Sequence, residues 1–160
     1  MRDGGPVEFQ MYALKDDNGD LTNYIKIRDL ALALNGTKAR FGVSWDGAVK
    51  LVAGAAYTPN GSENSTPFKG IQFYVRSTDS TCVNGAASDL VAFTLTDKDG
   101  GGYTYFQLRD PGQKLGFNVR WDGERGVVCI ETDKPYTGRA PSRRENCRKE
   151  KDCARNARNK

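Results

Sequence analysis

The stretch that decides the fold is Tyr24-Ile25-Lys26-Ile27-Arg28-Asp29-Leu30, because it occurs twice in the chain. Shifted by 81 positions, it falls on Tyr105-Phe106-Gln107-Leu108-Arg109-Asp110-Pro111, where tyrosine, arginine and aspartate are identical and the isoleucine positions stay apolar. The same shift, without a gap, aligns Gly4 with Gly85, Leu14 with Leu95, Asp16 with Asp97 and Gly19 with Gly100. Self-similarity at a fixed period indicates a repeated structural unit.

A second motif extends the repeat beyond this window. Trp45-Asp46-Gly47 recurs as Trp121-Asp122-Gly123 after a five-residue difference in loop length, and Tyr57-Thr58 recurs as Tyr136-Thr137. We therefore predict four segments along the chain. They are a first repeat at 1–59, a polar linker at 60–70, a second repeat at 71–137 and a tail at 138–160.

Hydrophobic periodicity predicts the same elements in both repeats. Alternating residues around the turn signal Asp16-Asp17-Asn18-Gly19 predict an opening hairpin. Apolar residues at i, i+3, i+4 and i+7 then predict a short helix in each repeat. These residues are Ile27, Leu30, Ala31 and Leu34 in the first repeat and Leu108, Pro111, Gly112 and Leu115 in the second. A further alternation that ends at Trp45 and at Trp121 predicts a closing hairpin. The predicted fold class is α+β, with two tandem repeats, each a small antiparallel sheet curled around one short helix.

The predicted helices carry start and stop signals. Asp29 and Asp110 are suited to cap the first turns, and Pro111 is tolerated there because its missing N–H would have no partner anyway. Asn35-Gly36 and Gly116 are suited to end the helices. Residues 70–76 predict a strand at the start of the second repeat, so we expect the first repeat to lack this strand or to borrow it.

Composition excludes several classes of function. The 160 residues include no histidine, which excludes Ser-His-Asp triads, Cys-His pairs, zincin motifs and histidine-ligated copper or zinc. No apolar stretch approaches the roughly 20 residues that span a bilayer. No phosphate-binding glycine motif is present. We therefore predict a protein that is not an enzyme, with no metal, no cofactor and no membrane span.

The net charge of +4 is concentrated at one end of the chain. The tail 138–160 holds nine basic and three acidic residues and no Leu, Ile, Val, Phe, Tyr or Trp, so it is predicted to be disordered or at most a frayed helix. It also lacks aromatic residues for stacking on bases, so a solvated charge run is favoured over binding to nucleic acid or anionic polymer. The four cysteines, Cys82, Cys129, Cys147 and Cys153, are compatible with two disulfides or with free thiols.

The two tyrosine-to-aspartate stretches and the two Trp-Asp-Gly turns resemble a known family. They are similar to the copper amine oxidase N-terminal-like domain, also called the stalk domain, which occurs in tandem on secreted and surface proteins of Clostridia and other Gram-positive bacteria. The resemblance covers residues 4–137, and Pro111 departs from it. It implies a non-catalytic extracellular or cell-surface module, without copper or amine oxidase activity, whose partner is cell-wall polymer or another surface protein. The first residues show no signal-peptide pattern.

Three groups of residues are candidates for a site, and the resemblance names no binding residue among them. Arg28-Asp29 and Arg109-Asp110 could recognise a ligand through the guanidinium, but helix capping by Asp, with Arg pairing a neighbouring carboxylate or a strand end, is favoured. Trp45 and Trp121 could stack on sugar rings, but their alternation favours the core. The Asp-rich runs resemble calcium-loop fragments and fit turns better. The motif residues taken as structural are Tyr24, Arg28, Asp29, Trp45, Asp46, Gly47, Tyr105, Arg109, Asp110, Trp121, Asp122 and Gly123.

Overall fold

The structure is a computed structural model, and it describes residues 1–7, 9, 11–15, 18–64, 74–77, 79–96 and 102–138. In these ranges it contains eleven strands and two short helices. The strands are β1 Met11–Lys15, β2 Leu21–Lys26, β3 Phe41–Trp45, β4 Ala48–Ala53, β5 Tyr74–Arg76, β6 Ser80–Val83, β7 Ala86–Ser88, β8 Ala92–Thr96, β9 Gly102–Gln107, β10 Asn118–Asp122 and β11 Val127–Glu131. The helices are α1 Ile27–Leu34 and α2 Arg109–Leu115. The predicted α+β class, hairpins and helices are thus present.

The strands form three sheets. The largest is a five-stranded antiparallel sheet in the order β1-β2-β9-β8-β5. A four-stranded sheet has the order β3-β4-β6-β7, and β10 pairs with β11 alone. Of the predicted strand at 70–76, β5 is the described part, and it lies beyond β8. Among the described strands, none pairs with the other edge of β1.

Helix α1 confirms the predicted helical spacing. Its buried side includes all four predicted apolar residues, and the chain leaves the helix through Gly36 at φ +81°. Helix α2 ends at Gly116, whose φ of +84° places it in the left-handed region. Glycine adopts this conformation at no steric cost, so the predicted ends of both helices are confirmed.

The core draws on both halves of the chain. Its fully buried members include Ile25, Leu30, Leu34 and Phe41 from the first half and Phe106 and Phe117 from the second. They belong to one contiguous cluster of buried side chains. The apolar faces of both helices and of the hairpins therefore pack into one main cluster, and a smaller cluster around Tyr24, Leu95 and Tyr105 is separate from it.

The expectation of one small sheet per repeat was wrong, because β2 and β9 are neighbours in the central sheet. Ile25 pairs with Phe106, Tyr24 with Gln107 and Lys26 with Tyr105. Under the shift of 81 positions, Ile25 corresponds to Phe106 and Tyr24 to Tyr105, so the two strands face each other symmetrically about the central pair. This pairing satisfies the backbone groups of two strand edges and buries two large apolar side chains.

The leading segment of each half also contacts the other half. Asp3 N–H donates to the carbonyl of Ile130, and Asn84 N–H donates to that of Leu51, both at 2.8 Å. The Asp3 and Asn84 side chains also accept one hydrogen bond each, at 2.7 and 2.8 Å. The donors are the backbone N–H groups two residues after Ile130 and two residues after Leu51, respectively. Asp3 and Asn84 share a positive φ, 48° and 50°. The two halves thus hold each other through equivalent contacts.

Candidate functional site

The two tryptophans are exposed, so the prediction that they belong to the core was wrong. Trp45 is 62% exposed and Trp121 49%. The alternation identified the correct face, because Val43 and Val119, two residues earlier, pack in the core. Alternation cannot show how far the core extends along a strand, and here it stops before the ends of the hairpins. Each half therefore presents one large aromatic side chain to solvent.

The Trp-Asp-Gly motif places each tryptophan beside a turn. In the first half, Gly47 has a φ of +87°, and the Asp46 carboxylate pairs with Lys50 at 2.5 Å. In the second half, Oδ1 of Asp122 accepts hydrogen bonds from the backbone N–H groups of Glu124 and Arg125, both at 3.2 Å. Gly47 thus shapes the first chain reversal, and Asp122 shapes the second.

The two aspartates at the helix starts do not cap the helices, contrary to the prediction. Neither helix has a side-chain hydrogen bond at its N-terminus. Oδ1 of Asp29 instead accepts a hydrogen bond from Asn64 N–H at 3.0 Å, and Asp110 accepts one from the backbone of Val91. Burial raises the pKa of both carboxyl groups. Asp29 thus holds the later segment at Asn64, and Asp110 holds the earlier segment at Val91. This role depends on residues that are distant from the helix start in sequence.

Lys26 and Asp29 form a buried ion pair. Lys26 Nζ lies 3.6 Å from Oδ1 of Asp29, and both side chains are almost completely shielded from solvent. The ammonium group also donates to the carbonyl of Ser62 at 2.5 Å and lies 4.1 Å from the centre of the Tyr103 ring. Oδ2 of Asp29 has no hydrogen-bond partner in the described structure. The sequence did not predict this buried ion pair, because its enclosure depends on residues 57–64 and on β9, which are distant in sequence.

Residues 57–64 fold over this ion pair through Glu63. Its carboxylate accepts hydrogen bonds from the Tyr57 hydroxyl and from the backbone N–H groups of Asn60 and Gly61, at 3.0 and 2.9 Å for the two N–H groups. Arg28 donates to the Tyr57 hydroxyl at 3.4 Å. Its partner in the described structure is thus a side chain of this turn and not the predicted neighbouring carboxylate or strand end. The beginning of the predicted linker is therefore an ordered turn, and Arg28 supports it.

Glu63 is expected to make the stability of this turn dependent on pH. Burial by itself would raise the pKa of this carboxyl, but its hydrogen bonds outweigh burial and lower the pKa to about 2. An acid with a depressed pKa in the folded state contributes stability above its unfolded value near 4.5, and this stability is lost as the pH falls toward about 2. We expect Glu63→Gln to lower the free energy of unfolding by about 1–2 kcal/mol at pH 7. The difference from wild type should shrink between pH 4.5 and 2 in urea titrations, and a constant difference would contradict this role.

The motif tyrosines are buried on one face of the central sheet. Tyr24 packs edge-on against Phe93, with ring centres 5.0 Å apart, and Tyr105 packs likewise against Tyr12 at 5.2 Å. Arg109, at the start of α2, is half-buried. The motif tyrosines thus serve packing. The two Arg-Asp pairs have different partners, and the structure does not bring them together into a single site.

Other candidates are scattered or lie outside the described residues. Within the described ranges, no cluster of three or more metal-binding side chains occurs. Cys82 and Cys129 are free thiols in different sheets, and Cys129 is buried as a strand residue. Asp16, Asp17 and residues 97–101 of the Asp-rich runs lie outside the described residues. The same holds for residues 139–160 of the tail, with its two cysteines.

Comparisons with known proteins found no match among family models, curated proteins or solved structures. The two described helices, of eight and seven residues, are too short to cross a membrane.

The exposed tryptophans, one in each half at corresponding positions, are the main structural feature that a function must account for.

Proposed function

We propose that this chain is a non-catalytic module of an extracellular or cell-surface protein, and that Trp45 and Trp121 contact carbohydrate of a cell-wall polymer. It consists, in this proposal, of two tandem copies of a unit that resembles the copper amine oxidase N-terminal-like domain. Copper and amine oxidase chemistry are not part of it, because the sequence has no histidine to bind copper.

The repeat is supported by the correspondence of elements. Shifted by 81 positions, β1 coincides with β8 and β2 with β9, residue for residue, and α1 overlaps α2. A closing hairpin follows each helix. The symmetric pairing of β2 with β9 and the equivalent contacts of Asp3 and Asn84 add support from tertiary structure. Two copies related in this way present their tryptophans at corresponding positions of the closing hairpins.

The observation that carries the binding function is the exposure of both tryptophans. Tryptophan is mostly buried in folded proteins, so two exposed at corresponding positions require a reason. A flat aromatic ring beside a polar turn suits the apolar face of a sugar ring while its N–H can donate to a hydroxyl.

The test is retention of the full chain on insoluble peptidoglycan and on a glycan array. We expect Trp45→Ala and Trp121→Ala each to weaken binding by about tenfold, equivalent to about 1.4 kcal/mol. Because both side chains are exposed, the free energy of unfolding should change by less than about 1 kcal/mol. Leu21→Ala is the matched control, since Leu21 is an exposed apolar residue outside the hairpin turns, and it should bind as wild type.

Two outcomes would contradict the carbohydrate contact. One is retention by the double tryptophan variant equal to that of wild type. The other is the absence of retention of the wild type on every glycan. The remaining part of the proposal, a module that spaces or displays other domains at a surface, would then stand without a ligand of its own.

A further inference from the structure

A groove of 590 Å³ lies away from the buried ion pair. It is bounded by residues 36–38 after α1, by the leading residues of the chain and by the β10–β11 hairpin with the residues that follow it. Its lining includes Cys129 and Ile130 of β11. This volume falls within the range of roughly 300–1,000 Å³ that is typical of sites for small ligands.

Four basic side chains line the groove, one from the loop after α1 and three from the β10–β11 hairpin and the residues that follow it. They are Lys38, Arg120, Arg125 and Lys134. Lys134 and Arg120 share the carboxylate of Glu131, at 2.8 and 3.6 Å. Lys38 and Arg125 have no carboxylate within ion-pair distance among the described residues. Two exposed cations of the groove therefore lack a compensating anion.

The acidic side chains of the groove are largely engaged. The Asp3 carboxylate accepts hydrogen bonds from the backbone N–H and the hydroxyl of Thr132, at 2.7 and 2.8 Å. The hydrogen bond from Lys134 is the main cause that lowers the pKa of Glu131, so this carboxylate stays ionised and holds Lys134. Asp133 is the third carboxylate and is exposed. Asp3 and Asp133 keep their negative charges, so the lining, with four basic and three acidic side chains, is positive by one unit.

The scaffold occurs twice in the chain, but the basic groove belongs to one side. Aligned on the tryptophans, Ser44 of the first hairpin stands where the second has Arg120. The loop at 36–40, which carries Lys38, has no counterpart after α2, where Gly116 leads directly to Phe117. Since the same fold forms without these cations on the other side, the fold does not require them.

We propose that this groove binds an oxyanion, a phosphate or a carboxylate, carried by a ligand of the size of one sugar. The guanidinium of Arg125 can hold two oxygens side by side, and the Lys38 ammonium adds a point charge from the opposite loop. Arg120 supplies a second guanidinium that a ligand can draw from its long contacts with Glu131 at 3.6 Å and Asp122 at 3.9 Å. The groove is distinct from the tryptophan contact, because Arg120 and Trp121 are successive residues of β10 and project to opposite faces.

The test is a titration of the ¹⁵N-labelled full chain followed by amide chemical shifts at constant ionic strength. The probes are inorganic phosphate, glucose 6-phosphate and galacturonic acid, with sodium chloride as the reference. We expect saturable shifts at Thr37, Lys38 and Thr132, with a Kd at or below about 1 mM for at least one probe. Binding of both phosphates but not galacturonic acid assigns a phosphoryl ligand, and the converse assigns a carboxylate ligand.

Matched variants locate the binding. Lys38→Gln and Arg125→Gln should each raise the Kd by about fivefold or more, since each removes one charge-assisted contact. Lys15→Gln removes the same charge from an exposed position of β1 and should leave the Kd unchanged. The proposal is overturned if all three probes shift the spectrum no more than sodium chloride does, if the shifts are confined to residues 139–160, or if both groove variants bind as tightly as wild type.

Discussion

Replacing Lys26 with methionine is expected to lower the free energy of unfolding by about 3–5 kcal/mol, because it leaves the Asp29 carboxylate buried without its cation. Methionine has a length similar to that of the lysine stem, so the packing loss is small and the electrostatic loss dominates. The lost contacts are the 3.6 Å ion pair, the 2.5 Å hydrogen bond to Ser62 and the cation–π contact with Tyr103. Urea unfolding followed by circular dichroism measures the change.

The double variant Lys26→Met with Asp29→Leu separates charge from packing. Removing both partners eliminates the uncompensated charge, so the double variant should be more stable than Lys26→Met alone. Lys15→Met, at an exposed position of β1, should change the free energy of unfolding by less than about 0.5 kcal/mol. A loss below about 1 kcal/mol in Lys26→Met would show that the pair is solvated in solution and not enclosed by residues 57–64.

The second large effect is expected for Phe106→Ala, with a loss of about 3–5 kcal/mol in the free energy of unfolding. Phe106 is fully buried and pairs with Ile25 at the centre of the contact between β2 and β9. Truncation removes apolar burial and leaves a cavity where the two halves of the chain meet. Because the main core cluster draws on both halves, the whole chain should unfold in one transition at a lower urea concentration.

Leu21→Ala is the control for Phe106→Ala, since Leu21 lies on β2 of the same sheet but is 68% exposed. Its free energy of unfolding should stay within about 0.5 kcal/mol of wild type. If Phe106→Ala instead unfolds in two steps, with one half melting first, the halves would be separate folding units, and the joint role of this residue would be refuted.

Periodicity in the sequence was sufficient to predict the local elements. The spacing of Ile27, Leu30, Ala31 and Leu34 predicted α1, and Gly116 predicted the end of α2 through its left-handed conformation. The alternation before Trp45 and Trp121 predicted β3 and β10. These features depend on residues close in sequence, whose side chains and dihedral preferences act locally.

Predictions that depended on distant partners were less successful. Aspartate is a residue type that commonly caps helices, but in the structure the Asp29 carboxylate pairs with Lys26 and accepts a hydrogen bond from the N–H of Asn64. The tryptophans continue an apolar alternation, yet they lie beyond the end of the core. Neither outcome can be read from neighbouring residues, because each depends on which segment folds over the position.

The sequence by itself determined the repeated order of hairpin, helix and hairpin, since hydrophobic period and turn residues specify local structure. It also excluded histidine chemistry. Tertiary structure alone decided that the two halves share the central sheet, that Lys26 and Asp29 are enclosed, and that Lys38 faces the same groove as Arg125. The physical reason is that strand-edge pairing, burial of charge and electrostatic fields depend on distances between residues remote in sequence, which a repeat pattern leaves unspecified.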